Sequence, residues 1–160
     1  LDHGYQKIAM MAGPESATST QDRLKGFLQV MEGAPERLAG TSFASAYSFQ
    51  AGQEEMARLI AEGPAEAYFC GDDVLSIGAL SAAQSAGRAV PDDLGIIGLN
   101  DMDMAAWENI NLTTIRNPFD EIVMTSIELV TQMLADGAHR PEARLYACEL
   151  VERGTLKRRA

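Results

Sequence analysis

The sequence predicts an α/β fold in which a mainly parallel sheet carries helices on both faces. Two observations carry that reading. Short apolar runs end abruptly at Gly, Pro, Asp or Asn, and stretches of helical period separate them. Their strict alternation implies βαβ units, whose connections place helices against the sheet.

The elements follow in order. Ile8 to Ala12 reads as a strand ended by Gly13-Pro14. Ser19 stands at capping-box spacing before Asp22, and Leu24, Phe27, Leu28 and Met31 then recur at helical intervals until Gly33. Thr41 to Tyr47 alternates loosely as a second strand, and Met56, Leu59 and Ile60 mark a helix stopped by Gly63-Pro64. Ala67 to Cys70 is a compact strand. A helix from Val74 to about Ala86 follows it, with Asp73 as the expected cap and Gly87 as its stop. Leu94 to Leu99 reads as a buried strand ending at Asn100-Asp101, and Leu112 to Ile115 as a short one. Asn117-Pro118 opens a helix with Asp120 and Glu121 in its first turn, where acids suit the dipole. Val123, Ile127, Val130 and Leu134 line one face of it, and Gly137 ends it. Leu145 to Cys148 with Leu150-Val151 supplies terminal strand material.

Composition narrows the function. The 160 residues amount to one domain's worth of chain, and 46% hydrophobic with 22% charged residues is ordinary globular composition. The formal net charge of -10 opposes nucleic-acid binding by this piece, because phosphates require neutralisation. Lys157, Arg158 and Arg159 read as a solvated tail. No window approaches the roughly 18 apolar residues of a membrane span, so a soluble segment is expected, and the absence of an initiator Met suggests a longer natural chain. Cys70 and Cys148 stand far apart without a Cys-x-x-Cys pair and are expected to be reduced and buried.

In open parallel sheets, ligands bind beyond the carboxyl ends of the strands. Gly13-Pro14, Asp72 and Asn100 all follow expected strands, so three stretches converge on one edge. Arg23, early in the first helix, would present its planar fork of donors there, or pair on the surface with Asp22 or Glu32. Asp72 and Asn100 offer short polar heads for ligand hydroxyls, although Asp72 also suits a loop or cap. Tyr47, Phe49 and Trp107 could stack on a ligand ring or pack in a core or interface. Catalysis lacks its parts. His3 and His139 are the only histidines, and no nucleophile elbow, phosphate loop or dinucleotide motif occurs. The Asn100-Asp101-Met102-Asp103 stretch fails as a calcium loop at Ala105. No catalytic residue, metal or cofactor is assigned.

The ordered motifs resemble the LacI/GalR family of transcription regulators over nearly the whole chain. Gly4-Tyr5-Gln6-Lys7-Ile8-Ala9 is similar to the family's Gly-His-x-x-Ile-Ala, with Tyr5 in place of His. Gly13-Pro14 with Arg23-Leu24-Lys25-Gly26-Phe27, then Phe69-Cys70-Gly71-Asp72-Asp73 with Ile77-Gly78-Ala79-Leu80, match the next blocks. Val90-Pro91-Asp92-Asp93 and Ile97-Gly98-Leu99-Asn100-Asp101 follow, and then Leu112-Thr113-Thr114-Ile115. Leu150-Val151-Glu152-Arg153-Gly154-Thr155 closes the series. Ile110 stands where a Pro usually precedes the Leu-Thr-Thr block.

The resemblance implies a type I periplasmic-binding-protein-like sensor, of which residues 1–160 are the C-terminal part. The helix at 118–136 would then belong to the first lobe, and the helix-turn-helix and most of that lobe would be absent. It implies an effector site at Arg23, Tyr47, Asp72 and Asn100, where Asp72 replaces a frequent Asn and Asn100 a frequent Asp. It implies a homodimer with Ile77 and Trp107 near the second subunit, although Ile77 suits core packing equally. The implied partners are a small effector, a carbohydrate by family habit, and operator DNA through the missing N-terminal domain only, in the cytoplasm and away from membranes. Isolated, the chain is expected to bind ligand weakly and to self-associate. The alternative is a periplasmic sugar-binding protein of a transporter, which shares the fold.

Overall fold

A computed structural model describes residues 3–136 and 142–158. The expected helix stop at Gly137, the turn at His139 to Pro141 and the tail residue Arg159 lie outside the described residues. One sheet of six strands organises the chain in the order β2-β1-β3-β4-β5-β6. The strands are β1 (Ile8–Ala12), β2 (Leu38–Phe43), β3 (Ala67–Cys70), β4 (Gly95–Asn100), β5 (Thr114–Arg116) and β6 (Glu149–Val151). All neighbours are parallel except β6, which runs antiparallel to β5. The helices are α1 (Thr18–Met31), α2 (Phe49–Glu62), α3 (Asp73–Ser85) and α4 (Phe119–Asp136).

Strand alternation separates two faces. Tyr68 and Cys70 of β3 join Met56 of α2 and Leu75, Ala79 and Ala83 of α3 in the main core. Phe69, between them, stacks on Phe27 of α1, with ring centroids 6.2 Å apart. Thus α1 covers one face and α2 with α3 the other. That division follows from right-handed crossovers, because the chain steps one way from β1 to β2 and the opposite way from β2 to β3 and β4. Met11, Met56, Leu75 and Ile96 are fully buried, each contributing about 1.5–3 kcal/mol of transfer free energy.

Five local expectations need correction. Helix α1 begins at Thr18 with Ala17 as its cap and no side-chain cap bond, and Ser19 lies exposed inside its first turn. The turn at Pro14 starts the helix instead, Ala17 N–H donating to Pro14 C=O at 3.1 Å. Strand β2 starts at Leu38, three residues before the expected Thr41, and has ended before Tyr47, because its ladder to β1 runs from Ile8↔Leu38 to Ala12↔Phe43. Strand β5 starts at Thr114 rather than Leu112, whose N–H is instead taken by Ala105 C=O. Of the terminal strand material only Glu149–Val151 pairs, so Leu145 to Cys148 forms no strand. Lys157 is no free tail, since its backbone N–H donates to Tyr5 Oη at 3.1 Å and its ammonium sits 4.8 Å over the Tyr5 ring.

Helix α4 stands apart. It makes no substantial packing contact with another described element. Val123, Ile127, Val130 and Leu134 are 53%, 57%, 53% and 82% exposed, so its apolar face meets solvent in this chain.

Two buried carboxylates fix the carboxyl ends of β3, β4 and β5. Asp73, fully buried at the start of α3, accepts from Met102 N–H at 2.7 Å and from Thr114 Oγ1–H at 2.5 Å. A Cβ on Gly98 would lie 2.2 Å from Asp73 Oδ1, so β4 must carry glycine there. Asp101 accepts from Arg116 Nε and Arg153 Nη2, both at 2.7 Å. Burial pushes the Asp101 carboxyl up, but the Arg153 and Arg116 guanidiniums outweigh it and hold the group below its ordinary value. A carboxyl depressed on folding contributes stability that is fully present above its unfolded value, about 4, and is lost as pH falls through the lower folded value. Acid unfolding followed by circular dichroism should therefore show stability falling below about pH 4. Asp101→Asn should be less stable than wild type near neutrality and lose less on acidification; parallel curves for the two proteins would contradict the assignment.

Candidate functional site

The strand order reverses at β1. From β1 the chain moves outward to β2, then returns past β1 to β3. The loops after β1 and β3 therefore diverge to opposite faces and open a crevice between them, the place where open α/β sheets hold ligands. Here the two loops touch, since a Cβ on Gly71 would lie 2.8 Å from Gly13 N. A Cβ on Gly13 would in turn lie 2.2 Å from the Tyr47 ring. Glycine at both positions lets the Tyr47 ring lie flat over the crevice floor.

Arg23 reaches this floor from α1. Its Nη1 donates to Gly71 C=O at 2.9 Å and to Tyr47 Oη at 3.1 Å, and its guanidinium lies 5.8 Å from the Tyr47 ring centroid. Neither Asp22 nor Glu32 engages it among the described contacts, so the surface-pair reading gives way. Among the described residues, every hydrogen bond that Arg23 makes leaves from Nη1, so Nε and Nη2 keep donors that a ligand could use. Thr20, fully buried, shares a 2.7 Å hydrogen bond with Tyr47 Oη and completes the brace. Tyr47 thus stands in a loop, not in a strand, and its hydroxyl is spent on holding Arg23.

Asp72, not Asp73, caps α3. Its Oδ1 accepts from Leu75 N–H at 2.8 Å, whereas Asp73 turns inward to the buried contacts above. Cap preference alone could not separate two adjacent aspartates; burial decided between them. Burial also pushes the Asp72 carboxyl above its ordinary value, partly offset by the Leu75 N–H and by Arg23, with Asp73 adding to the rise. The cap leaves lone pairs on the carboxylate for a ligand hydroxyl.

Asn100 ends β4. Continuing the Phe69↔Ile97 register carries Asp72 alongside Asn100 at the same edge. Its φ of 116 and the φ of 53 at Asp101 are left-handed, a conformation that Asn and Asp accept more readily than other side chains. Asn100 Oδ1 accepts from Asn117 Nδ2 at 2.9 Å, which ties it to the chain leaving β5.

Other candidates stand elsewhere. Phe49 opens α2 and Trp107 follows the turn after β4, 43% and 54% exposed, and neither has a recorded contact with the Arg23 brace. Ile77 is half-buried and packs against the main core. Cys70 is buried, its thiol pushed up to about 12 by burial. Cys148, expected to be buried, is exposed, and its Sγ donates to Asn117 Oδ1 at 3.2 Å. Thr20, Gly71 and Asn117 were not among the expected site residues, although Gly71 stands in the Phe69-to-Asp73 block and Asn117 was expected to open a helix. A strand-to-helix spacing that returns Gly71 to the β1 loop was the only available signal for Gly71, and none existed for Thr20. Among the described residues, no group of three His, Cys, Asp or Glu side chains could hold a metal ion, and no helix is long and apolar enough to cross a membrane.

Comparison with known proteins agrees with this architecture. Residues 1–156 match the family described as periplasmic binding protein-like domain. The transcriptional repressor CytR of Escherichia coli K12 is 33% identical over 98% of this chain and 46% of its own length. The repressor PurR of Photobacterium profundum is 28% identical over 98% of this chain and 48% of its own. The chain thus spans about half the length of these curated relatives. Among solved structures, a dimeric Lac repressor with an 11-residue C-terminal deletion superposes with TM-score 0.89 at 26% identity, covering 97% of this chain and 57% of that one. A LacI family regulator from Enterococcus faecium with bound ribose gives 0.85 at 25%, covering 97% and 58%. The chain belongs to the periplasmic binding protein-like domain family and corresponds to the effector-binding portion of LacI/GalR-type regulators.

Proposed function

We propose that this chain senses a small metabolite, of carbohydrate type, for a DNA-binding transcription repressor, with Arg23, Tyr47, Asp72 and Asn100 forming its share of the effector site. The observation that carries the reading is the Arg23 brace at the switch point. A guanidinium is held by Gly71 and Tyr47 with part of its fork uncommitted, beside the half-buried Asp72 carboxylate. Such a set of convergent polar groups on a glycine-lined floor suits a polyhydroxylated ligand. The ribose in the Enterococcus faecium regulator supports that ligand class. The curated relatives are repressors, which favours a cytoplasmic regulator over a transporter's binding protein.

The chain's net charge of -10 leaves DNA contact to a separate N-terminal module. Ligand and operator affinity would be linked through the arrangement of two lobes, each ligand favouring one arrangement. No enzymatic step is assigned. The dimeric Lac repressor structure supports a homodimer, with Ile77 and exposed Trp107 at the subunit contact. The exposed face of α4 is where the first lobe of a longer chain would pack, and residues 118–136 belong to that lobe in this reading.

The full-length natural protein, screened by thermal shift against sugars, purines and amino acids, should show a raised midpoint with one class, because a binder of the folded state stabilises it by mass action. Arg23→Ala should weaken that ligand by roughly 10- to 100-fold, on the order of 1.5–3 kcal/mol for lost charged hydrogen bonds. An undiminished shift in both Arg23→Ala and Asn100→Ala would refute the site. The 160-residue chain alone should self-associate in sedimentation velocity through its uncovered helix, beyond any contact at Ile77 and Trp107, and Ile127→Lys with Leu134→Lys should remove that added association. A clean wild-type monomer at high concentration contradicts the role given to α4.

A further inference from the structure

Helix α1 buries two of its residues, Met31 and Thr20, and Thr20 is the more completely enclosed. A buried helix position against a sheet ordinarily takes an apolar side chain, because a β-branched residue gives up rotamer freedom in a helix and a hydroxyl must be paired to be buried without cost. The Thr20 hydroxyl has one recorded partner, Tyr47 Oη at 2.7 Å. Its burial is therefore compensated only while Tyr47 stays in place.

The same phenolic oxygen receives Arg23. Arg23 Nη1 donates to Tyr47 Oη at 3.1 Å and to Gly71 C=O at 2.9 Å. Thr20 and Arg23 stand one turn apart on the same face of α1, and Tyr47 Oη bonds to both. An arginine reaching into an open crevice carries about 2 kcal/mol of rotamer entropy. The Gly71 bond alone leaves the guanidinium free to pivot about it. A second bond to Tyr47 Oη fixes the guanidinium plane, provided that this oxygen is itself fixed. Tyr47 comes from the loop between β2 and α2, and Thr20 ties its hydroxyl to α1. The β1 loop confines the ring from another side, since a Cβ on Gly13 would fall 2.2 Å from it. The arrangement is the same whichever hydroxyl donates, because a guanidinium only donates and Tyr47 Oη accepts from it in both cases.

We propose that Thr20 is a positioning residue of the effector site, acting through the Tyr47 hydroxyl to hold the Arg23 guanidinium in one orientation, so that Nε and Nη2 are presented to the ligand already ordered. The proposal rests on the effector-site reading above and adds that affinity depends on a fully buried side chain that touches no ligand. Removing the Thr20 hydroxyl leaves Arg23 in the site but transfers its ordering to the binding step, which weakens binding.

The test compares the 15N-labelled wild-type chain with Thr20→Val, Thr20→Ser, Tyr47→Phe and the double variant of Thr20→Val with Tyr47→Phe. Val keeps the shape of Thr without its hydroxyl, and Ser keeps the hydroxyl. NMR relaxation of the Arg23 Nε–H signal, without ligand, should show an ordered group in wild type and Thr20→Ser and a flexible one, with an order parameter below about 0.6, in Thr20→Val. Tyr47→Phe removes the shared oxygen and should lose the same order, so the measurement holds even where Thr20→Val fails to fold. D-ribose, the ligand in the Enterococcus faecium regulator, is then titrated. Its half-saturation concentration should rise about 3- to 10-fold in Thr20→Val, the equivalent of one hydrogen bond, and return to within about twofold of wild type in Thr20→Ser. The double variant should bind no more weakly than Tyr47→Phe alone, because the two hydroxyls act in series. An Arg23 signal equally ordered with and without the Thr20 hydroxyl, a Thr20→Ser variant no better than Thr20→Val, or effects of Thr20→Val and Tyr47→Phe that simply add, overturns the positioning role and leaves the site standing. Ribose that moves no Arg23 signal in the wild-type chain overturns the effector-site reading, and the role with it.

Discussion

The Asp73 carboxylate organises the working end of this molecule. It is fully buried, and its two recorded donors come from the segment after β4 and from β5. A buried carboxyl stripped of its hydrogen-bond partners is costly, on the order of 1–3 kcal/mol for each buried polar group left unsatisfied and more for a charged one. The geometry around it is therefore specified jointly: α3 must begin where Asp73 can turn inward, β4 must carry Gly98, and β5 must bring Thr114 within reach. Asp72 becomes the cap as a consequence, since its neighbour is unavailable.

The crevice rests on that frame. The start of α3 positions Asp72 beside the end of β4, and the loop before it lends the Gly71 carbonyl to Arg23. On the other side, Asp101 with its two arginines secures a turn whose two residues have positive φ. Strain of this kind persists only where surrounding contacts over-determine the backbone, and it concentrates at ligand sites. The proposed site is thus preorganised at both flanks, so that in this reading ligand binding would not have to order those side chains first.

The order of strands and helices was legible because buried parallel strands are short and apolar and end at Gly, Asp or Asn. Boundaries were less so. β2 began early because a ladder to β1, a tertiary contact, outweighed local alternation from Thr41 onward. α1 started from a proline turn, not from the Ser19 signal. Arg23, Asp72 and Asn100 were findable because each follows a strand or opens a helix at one edge, but their partners were not. Thr20 is an ordinary helix residue until Tyr47 arrives, and Asn117 gains meaning only when β5 lies beside β4. The apolar face of α4 was visible in the spacing, the family resemblance implied that its usual partner would be missing, and the face is exposed in three dimensions.

The central claim is that the carboxyl edge at the β1 switch point is a ligand site. The measurement that meets it most directly is a crystal structure of the full-length natural protein, grown with the metabolite that raises its melting temperature. The account predicts ligand density against the Tyr47 ring, with Arg23 Nε or Nη2 and the Asn100 side-chain amide within hydrogen-bonding distance and the Gly71 contact of Arg23 retained. Density elsewhere, with Arg23 still bonded only to Gly71 and Tyr47, would contradict it.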